Sequence, residues 1–270
     1  MIFNIKFSII ITSKFLLYFY ICIDKQKQIT MSINKVTIVG IKGFKGSGKD
    51  TVASIISYIL HDGIMKATYD KWLFFHKNGF VENNEIIIHF ADKLKDDISE
   101  FCGIDRKLLD RQEIKENYYY NFKTGIVSTN IKDIDCVINT VLEYDNLSTL
   151  LLLNNNNVSI KIRALLQYYG TNVIRNHFWH EAFIRYTMNK AFDIKNSKGQ
   201  CIIADARFED ECMAIKYYGG KIIRVDRRVN NDNHESEQIK ISQDDYVIDN
   251  TGTLVGLFYK VLKFVTDYMV

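Results

Sequence analysis

The chain has 270 residues, enough for one α/β domain carrying an insertion or a small appendage. Hydrophobic residues make up 47%, sufficient for a sizeable core, and a formal net charge of +3 gives composition no electrostatic case for a nucleic-acid partner. Five cysteines (Cys22, Cys102, Cys136, Cys201 and Cys212) form an odd set without a C-x-x-C pair, and read as buried thiols in a reducing, cytoplasmic compartment.

Along the chain, residues 1–30 come first. "FSIIITSKFLLYFYICI" is apolar, but Lys14 interrupts it, and the uncharged stretch Phe15–Ile23 is about half of the ~18 apolar residues that suggest a spanning helix. It reads as an extension outside the fold, with a membrane anchor as the alternative. Met31 stands just ahead of the first strand, so the domain is expected to occupy 31–270.

"KVTIVGI" (35–41) is a continuous apolar run, as expected of a strand buried on both faces of a parallel sheet. Thr51–Leu60 follows as a helix with apolar Val52, Ile55, Ile56 and Ile59. A second strand is expected at "EIIIHF" (85–90), then a helix from Asp92 to Phe101. Residues 105–160 give little pattern: "DRQEIKENYYYNFKTG" is polar and aromatic, and "LLLLNNNNV" is low-complexity and reads as a loop tip. The stretch 161–192 reads as two helical segments hinged at Gly170. A strand is expected at "QCIIADAR" (200–207), a helix at 209–219, strands at "KIIRVD" (221–226) and "DYVIDN" (245–250), and a closing helix at 253–269. This alternation predicts a mostly parallel sheet flanked by helices, with 105–192 as an insertion.

The chemistry concentrates in "GFKGSGKDT" (43–51), between the first strand and its helix. In such a turn, successive backbone N–H groups point inward onto a polyphosphate, and the helix N-terminus adds its positive dipole end. Gly43, Gly46 and Gly48 permit positive φ and close approach, while Phe44, Lys45 and Ser47 supply further amides. Lys49 can neutralise β- and γ-phosphate oxygens. Asp50 stands where a hydroxyl usually meets Mg²⁺, and a carboxylate is itself a hard oxygen ligand. Thr51 supplies a hydroxyl one step on. The rival reading is a strand–turn–helix whose glycines merely make a tight turn.

The loop resembles that of the deoxynucleoside monophosphate kinases of bacteriophages and large viruses, which share the G-K-D-T ending. "FADKLKDDI" (90–98) is similar to the family's segment after the second strand, with Lys95 at its lysine position, although the family has proline where Lys93 stands. "RALLQYYGTNVIR" (163–175) resembles its R-x-x-L-Q-x-x-G-T block, "ADARFEDE" (204–211) its D-x-R-x-x-x-E, "DNHESE" (232–237) its H-x-S/T-E, and "IDNTGTLVGL" (248–257) its closing asparagine–glycine turn. The blocks fall in family order. The resemblance implies a P-loop kinase with a helical monophosphate-binding insertion and a lid, using ATP and Mg²⁺ on deoxynucleoside monophosphates.

It also implies roles. Lys49 would meet the transferring phosphoryl group. Asp205, at a strand end, would serve the metal's water shell or orient the acceptor, or else merely cap. Arg207 would clamp phosphate, or pair at the surface with Glu209 or Glu211. Arg163, Gln167, Gly170, Thr171 and Arg175 would form the monophosphate pocket, with Trp179 or Phe183 either stacking on the base or sitting in the core. Gln167 reads equally as a solvated position. Arg227 and Arg228 open a polar stretch to Gln243 that would form the lid or equally be solvated, and Asn250 and Gly252 would contact adenine or equally form a plain strand-to-helix link. His177 and His180 lack a third ligand and are not assigned to a metal. Small-molecule nucleotides are the expected partners, with neither nucleic acid nor a membrane; a homodimer is compatible. The rivals are a phosphomevalonate- or dephospho-coenzyme-A-type kinase and a nucleotide-binding module without turnover.

Overall fold

The computed structural model describes residues 36–79, 85–140, 146–227 and 246–270. Arg228, the "DNHESE" block, the stretch to Gln243 and the 1–30 extension lie outside the described residues. The chain divides into two compact units, one of residues Asp92–Arg185 and one of Met31–Ala91 with Tyr186–Val270. Elements below are numbered along the chain.

The two-segment unit holds β1 (Ile38–Lys42), α1 (Lys49–Asp62), α2 (Tyr69–Lys77) and β2 (Ile87–Ile88), then β7 (Cys201–Ile203), α8 (Glu209–Tyr217), β8 (Lys221–Asp226), β9 (Tyr246–Asp249) and α9 (Leu254–Tyr268). Its five strands pair in the order β2-β7-β1-β8-β9, and every pairing is parallel. β1 is central: Ile38 stands opposite Cys201 on one side, and Val39 opposite Lys221 on the other. All five residues of β1 are buried, which is why its sequence runs apolar without alternation.

Val39, Ile41, Ile223, Val225 and Ile248 face α1 and α9, which contribute Val52, Ile55, Ile56, Ile59, Phe258, Val261 and Phe264 to the same core. On the opposite face α8 presses close. A Cβ at Gly40 would lie 2.6 Å from Ile215 Cδ1 and 2.7 Å from Ile222 Cδ1, so a side chain there would force both isoleucines to shift. β2 and β7 are shorter than the strands expected at 85–90 and 200–207, and beyond their ends the Asp205 carboxylate accepts the Phe90 N–H. α2 was not expected. Its one buried residue, Trp72, donates its indole N–H to Ser54 Oγ on α1 at 3.0 Å, and Thr68 caps its start.

The other unit contains the bulk of α3 (Ala91–Cys102), a 3₁₀ turn (Leu108–Asp110), α4 (Gln112–Asn117), β3 (Tyr119–Asn121), β4 (Val127–Ser128), β5 (Cys136–Ile138), α5 (Asn146–Leu153), β6 (Val158–Lys161), α6 (Ile162–Gln167) and a π-helix (Tyr168–Phe178). The helix α7 (Ala182–Lys198) leads back to the first unit. β4-β3-β6-β5 form a second sheet, antiparallel except for the β5–β6 pair. Its core gathers Ile98, Leu109, Ile160, Ile162, Leu165 and Val173. The "LLLLNNNNV" stretch divides: its leucines end α5, and Asn154–Asn157 turn into β6, with Asn155 and Asn156 at φ 49° and 63°. Asparagine tolerates that left-handed backbone better than most residues.

The expected hinge at Gly170 is corrected. The chain runs helically through it from Ile162 to Phe178, and the break comes at Trp179, whose backbone is extended at φ −155° and ψ 106°. Gly170 serves close packing, since a Cβ there would stand 3.1 Å from Leu94 Cδ2 on α3.

Candidate active site

The loop between β1 and α1 is built around two left-handed glycines, Gly46 at φ 76° and Gly48 at φ 97°. These values suit a residue without Cβ. The Ser47 N–H donates to the Phe44 carbonyl at 3.0 Å, closing the turn, and Val52 N–H to Gly48 oxygen begins α1. Gly43 is required by crowding: a Cβ would lie 2.5 Å from Ser47 Oγ and 2.7 Å from the Val225 carbonyl oxygen. The first amides of α1 have no partner within the helix and present the positive end of its dipole. Lys49 folds its ammonium back into this ring, donating to the carbonyls of Gly43 at 2.7 Å and Phe44 at 2.9 Å.

The Asp50 side chain is 86% exposed, with His89 Nε2 at 3.6 Å from its Oδ1. His89, which lies beyond β2 and 39 positions from Asp50, carries no local sequence signal of this contact. Parallel pairing brings the ends of β1, β7 and β2 to one edge of the sheet, where open α/β sheets take ligands.

Asp205 follows β7 and is 8% exposed. Its Oδ1 accepts the Phe90 N–H at 2.6 Å and its Oδ2 the Ala91 N–H at 3.2 Å. The carboxylate therefore staples the end of β7 to the junction of β2 and α3. Glu211, also buried, accepts the N–H groups of Arg207 at 2.7 Å and Phe208 at 3.0 Å. The D-x-R-x-x-x-E spacing thus acquires a physical reason: Asp205 ties the start of the segment to the Phe90–Ala91 backbone, and Glu211 holds the Arg207 and Phe208 amides. Glu211 thus binds main chain on this segment.

Asn250 donates its side-chain amide to the Ser47 carbonyl at 2.8 Å, and its backbone N–H to the Asp226 carbonyl at 2.7 Å. The resemblance placed it at adenine; the geometry places it on the phosphate loop. Gly252 and Arg227 are exposed nearby in sequence, and a Cβ at Gly252 would meet nothing within 4 Å.

The second unit carries the other expected residues. Arg163 on α6 donates from Nε to Glu116 Oε1 at 2.6 Å and from Nη2 to Gln112 Oε1 at 3.3 Å, both on α4. Lys95 on α3 donates to Asp110 at 2.8 Å, and Arg106 bridges Asp92, Asp96 and Asp110 at 3.1, 2.7 and 2.7 Å. Burial works to raise the Asp110 carboxyl, but hydrogen bonds from Arg106 and Lys95 prevail and hold it below the usual range. Asp97 shows the opposite balance: burial pushes its carboxyl up, and the Lys93 ammonium and Tyr169 hydroxyl pull it back only in part.

Gln167 lies on α6, and the half-buried Gly170, Thr171 and Arg175 follow on the π-helix. π segments frequently mark functional sites. Arg175 Nη2 is 3.4 Å from His180 Nε2. Phe183 is half-buried against the unit's core, and Trp179 carries the Arg185 guanidinium 5.4 Å from its ring centre. Glu116, Arg106 and Asp110 were missed as partners because α4 and the 3₁₀ turn were not foreseen. Among the described residues, no group of three or more His, Cys, Asp or Glu side chains is placed to hold a metal ion, and no helix is long and apolar enough to cross a membrane.

A family model described as deoxynucleotide monophosphate kinase matches residues 37–261. A protein of Acanthamoeba polyphaga mimivirus, named provisionally as a deoxynucleotide monophosphate kinase, is 25% identical over 237 residues, covering 86% of this chain and 97% of its own. The α/β architecture with its parallel central sheet is that of a P-loop kinase. With five-sixths of its length matched by one family model, the chain belongs to the deoxynucleotide monophosphate kinase family, a group of phosphotransferases.

Proposed function

We propose that the chain transfers the terminal phosphoryl group of ATP to the 5′-phosphate of a deoxynucleoside monophosphate, with Mg²⁺. The observation that carries this reading is the phosphate loop: two left-handed glycines, the start of α1 and the Lys49 ammonium converge on one small ring of backbone. A Cβ at Gly43 would meet Ser47 Oγ and the Val225 carbonyl, and one at Gly48 would meet Asn250 Nδ2, so the turn needs glycine at both places. Such a turn at a helix start suits backbone contact with an anion. Asp50, exposed at the first turn of α1, suits a hard cation that keeps most of its waters and takes one or two carboxylates plus phosphate oxygens.

Lys49 would exchange one carbonyl for β- and γ-phosphate oxygens. Asp50 would hold the metal, whose charge neutralises those oxygens when bound. Asp205, with both oxygens on main-chain amides, would orient the β2–α3 junction and complete the metal's water shell. Arg207, whose backbone N–H is held by Glu211, would clamp phosphate. Lys95, Arg163, Gln167, Gly170, Thr171 and Arg175 are assigned to the acceptor, with Phe183 beside its base. The acceptor phosphate is largely dianionic near neutrality, so alignment and charge neutralisation matter more than a general base.

The test is an acceptor screen. Full-length protein with ATP and Mg²⁺ is incubated with each of the four deoxynucleoside monophosphates, and ADP is measured. At least one should yield ADP and the matching diphosphate. Tight ATP binding without ADP from any of the four would overturn the reading in favour of a binding module.

A further inference from the structure

The peptide between Ser47 and Gly48 is held from outside the phosphate loop. Its carbonyl accepts the Asn250 amide at 2.8 Å, and a peptide unit is planar with C=O and N–H on opposite sides. Fixing the Ser47 carbonyl therefore turns the Gly48 N–H away from Asn250. Gly48 itself is at φ 97° and ψ 25°, the left-handed half of an anion-binding nest of amides. A Cβ on Gly48 would stand 2.5 Å from Asn250 Nδ2, so the absent side chain is what lets the amide reach the carbonyl.

Asn250 is in turn anchored. Its N–H binds the Asp226 carbonyl at the end of β8, and the preceding Asp249 accepts Thr251 N–H and Oγ1–H at 3.1 and 2.6 Å. Lys260 on α9 donates to the Asp249 carbonyl and carboxylate. The β9–α9 turn is thus a fixed mount rather than a pliable link.

We propose that Asn250 is a positioning residue for the phosphate loop, strapping the Ser47–Gly48 peptide so that its amide addresses the polyphosphate, and that it acts regardless of which base the nucleotide carries. This rests on the phosphate-loop reading above and differs from an adenine contact. An asparagine is needed because the strap must donate to a carbonyl without adding charge. A carboxylate in its place would neither donate nor tolerate a neighbouring polyanion.

Calorimetric binding of ATP, GTP and inorganic tripolyphosphate to the full chain tests this, with steady-state kinetics and melting temperature alongside. Asn250→Ala should weaken all three ligands by the same factor, about tenfold, and Asn250→Asp should weaken them further. The KM for the acceptor should not move, and melting should stay within a few degrees of the parent. A cycle with Gly48→Ala supplies an arm independent of any one variant. Strap and glycine act as a unit, so the double variant should bind tripolyphosphate no worse than Gly48→Ala alone. Loss of ATP affinity with tripolyphosphate unaffected, or strictly additive losses in the cycle, would overturn the proposal and leave the loop intact. Failure of the parent protein to bind either ATP or tripolyphosphate would overturn the phosphate-loop reading, and the strap with it.

Discussion

Lys49 reaches back over the phosphate loop to the Gly43 carbonyl, 2.7 Å from its ammonium, so the loop is braced by the same side chain that would receive phosphate. The residue has two separable contributions. Removing it in Lys49→Ala should lower kcat by about a hundredfold or more, the scale for deleting one electrostatic stabiliser of a transition state. The two lost hydrogen bonds, worth about 1–2 kcal/mol together, should lower the melting temperature by only about 2–6 °C. Calorimetric melting of the variant checks the second half; a collapse of the fold would make the lysine structural.

Arg163 is tied to Glu116 at 2.6 Å and steadied by Gln112. Arg163→Ala should raise the KM for the monophosphate while leaving the KM for ATP unchanged. Arg163→Lys should restore little, because an ammonium lacks the planar fork. Glu116→Gln should shift the same parameter in the same direction but less. Initial rates with each substrate varied in turn decide it, and equal loss toward both substrates would remove Arg163 from the acceptor.

Two carboxylates should give stability opposite dependences on pH. Burial raises the Asp97 carboxyl, so the native protein takes up a proton more readily than the unfolded chain. Acidification through the window between its unfolded and folded values stabilises the native state, and Asp97→Asn removes that gain. The Asp110 carboxyl is held low against burial by Arg106 and Lys95. Its contribution is present above the unfolded value and is lost as pH falls through the folded one. Asp110→Asn should therefore flatten the acid limb. Urea midpoints measured from about pH 7 down to about pH 3 would show both signs.

Thiol labelling should be selective. Burial pushes the Cys102 thiol up to about 12 and the Cys201 thiol likewise, so both stay protonated at mildly alkaline pH. Cys212 is buried as well. Among the four described cysteines, Cys136 on the short strand β5 should alkylate first in the native protein, as peptide mapping by mass spectrometry would report. Rapid labelling of Cys201 would mean that the β7 end of the sheet opens readily.

The parallel sheet and phosphate loop were legible because each leaves a local signature: an unbroken apolar run for a strand buried on both faces, and glycines at fixed intervals before a helix. The 92–185 unit was not, since strands such as Val127–Ser128 and Cys136–Ile138 are too short to show period-two alternation. α2 escaped for a related reason, burying only Trp72 and so lacking an apolar stripe. Site residues fared by range. Lys49 and Asp50 sit inside the motif that announces them, whereas His89 and Glu116 owe their places to pairings between distant segments, which no window of sequence contains.

The central strand also dictates when the site can exist. Residues 38–42 pair as a strand with 201–203 and 221–226, with a whole separately cored unit between them in sequence. Closing so long a loop costs entropy before any contact rewards it, so assembly around β1 belongs late in folding. A chain emerging from the ribosome would carry its glycine-rich turn as an unformed segment until most of the remaining sequence had been made. A nucleotide that binds this loop would meet its amides in place only once the sheet around β1 had closed.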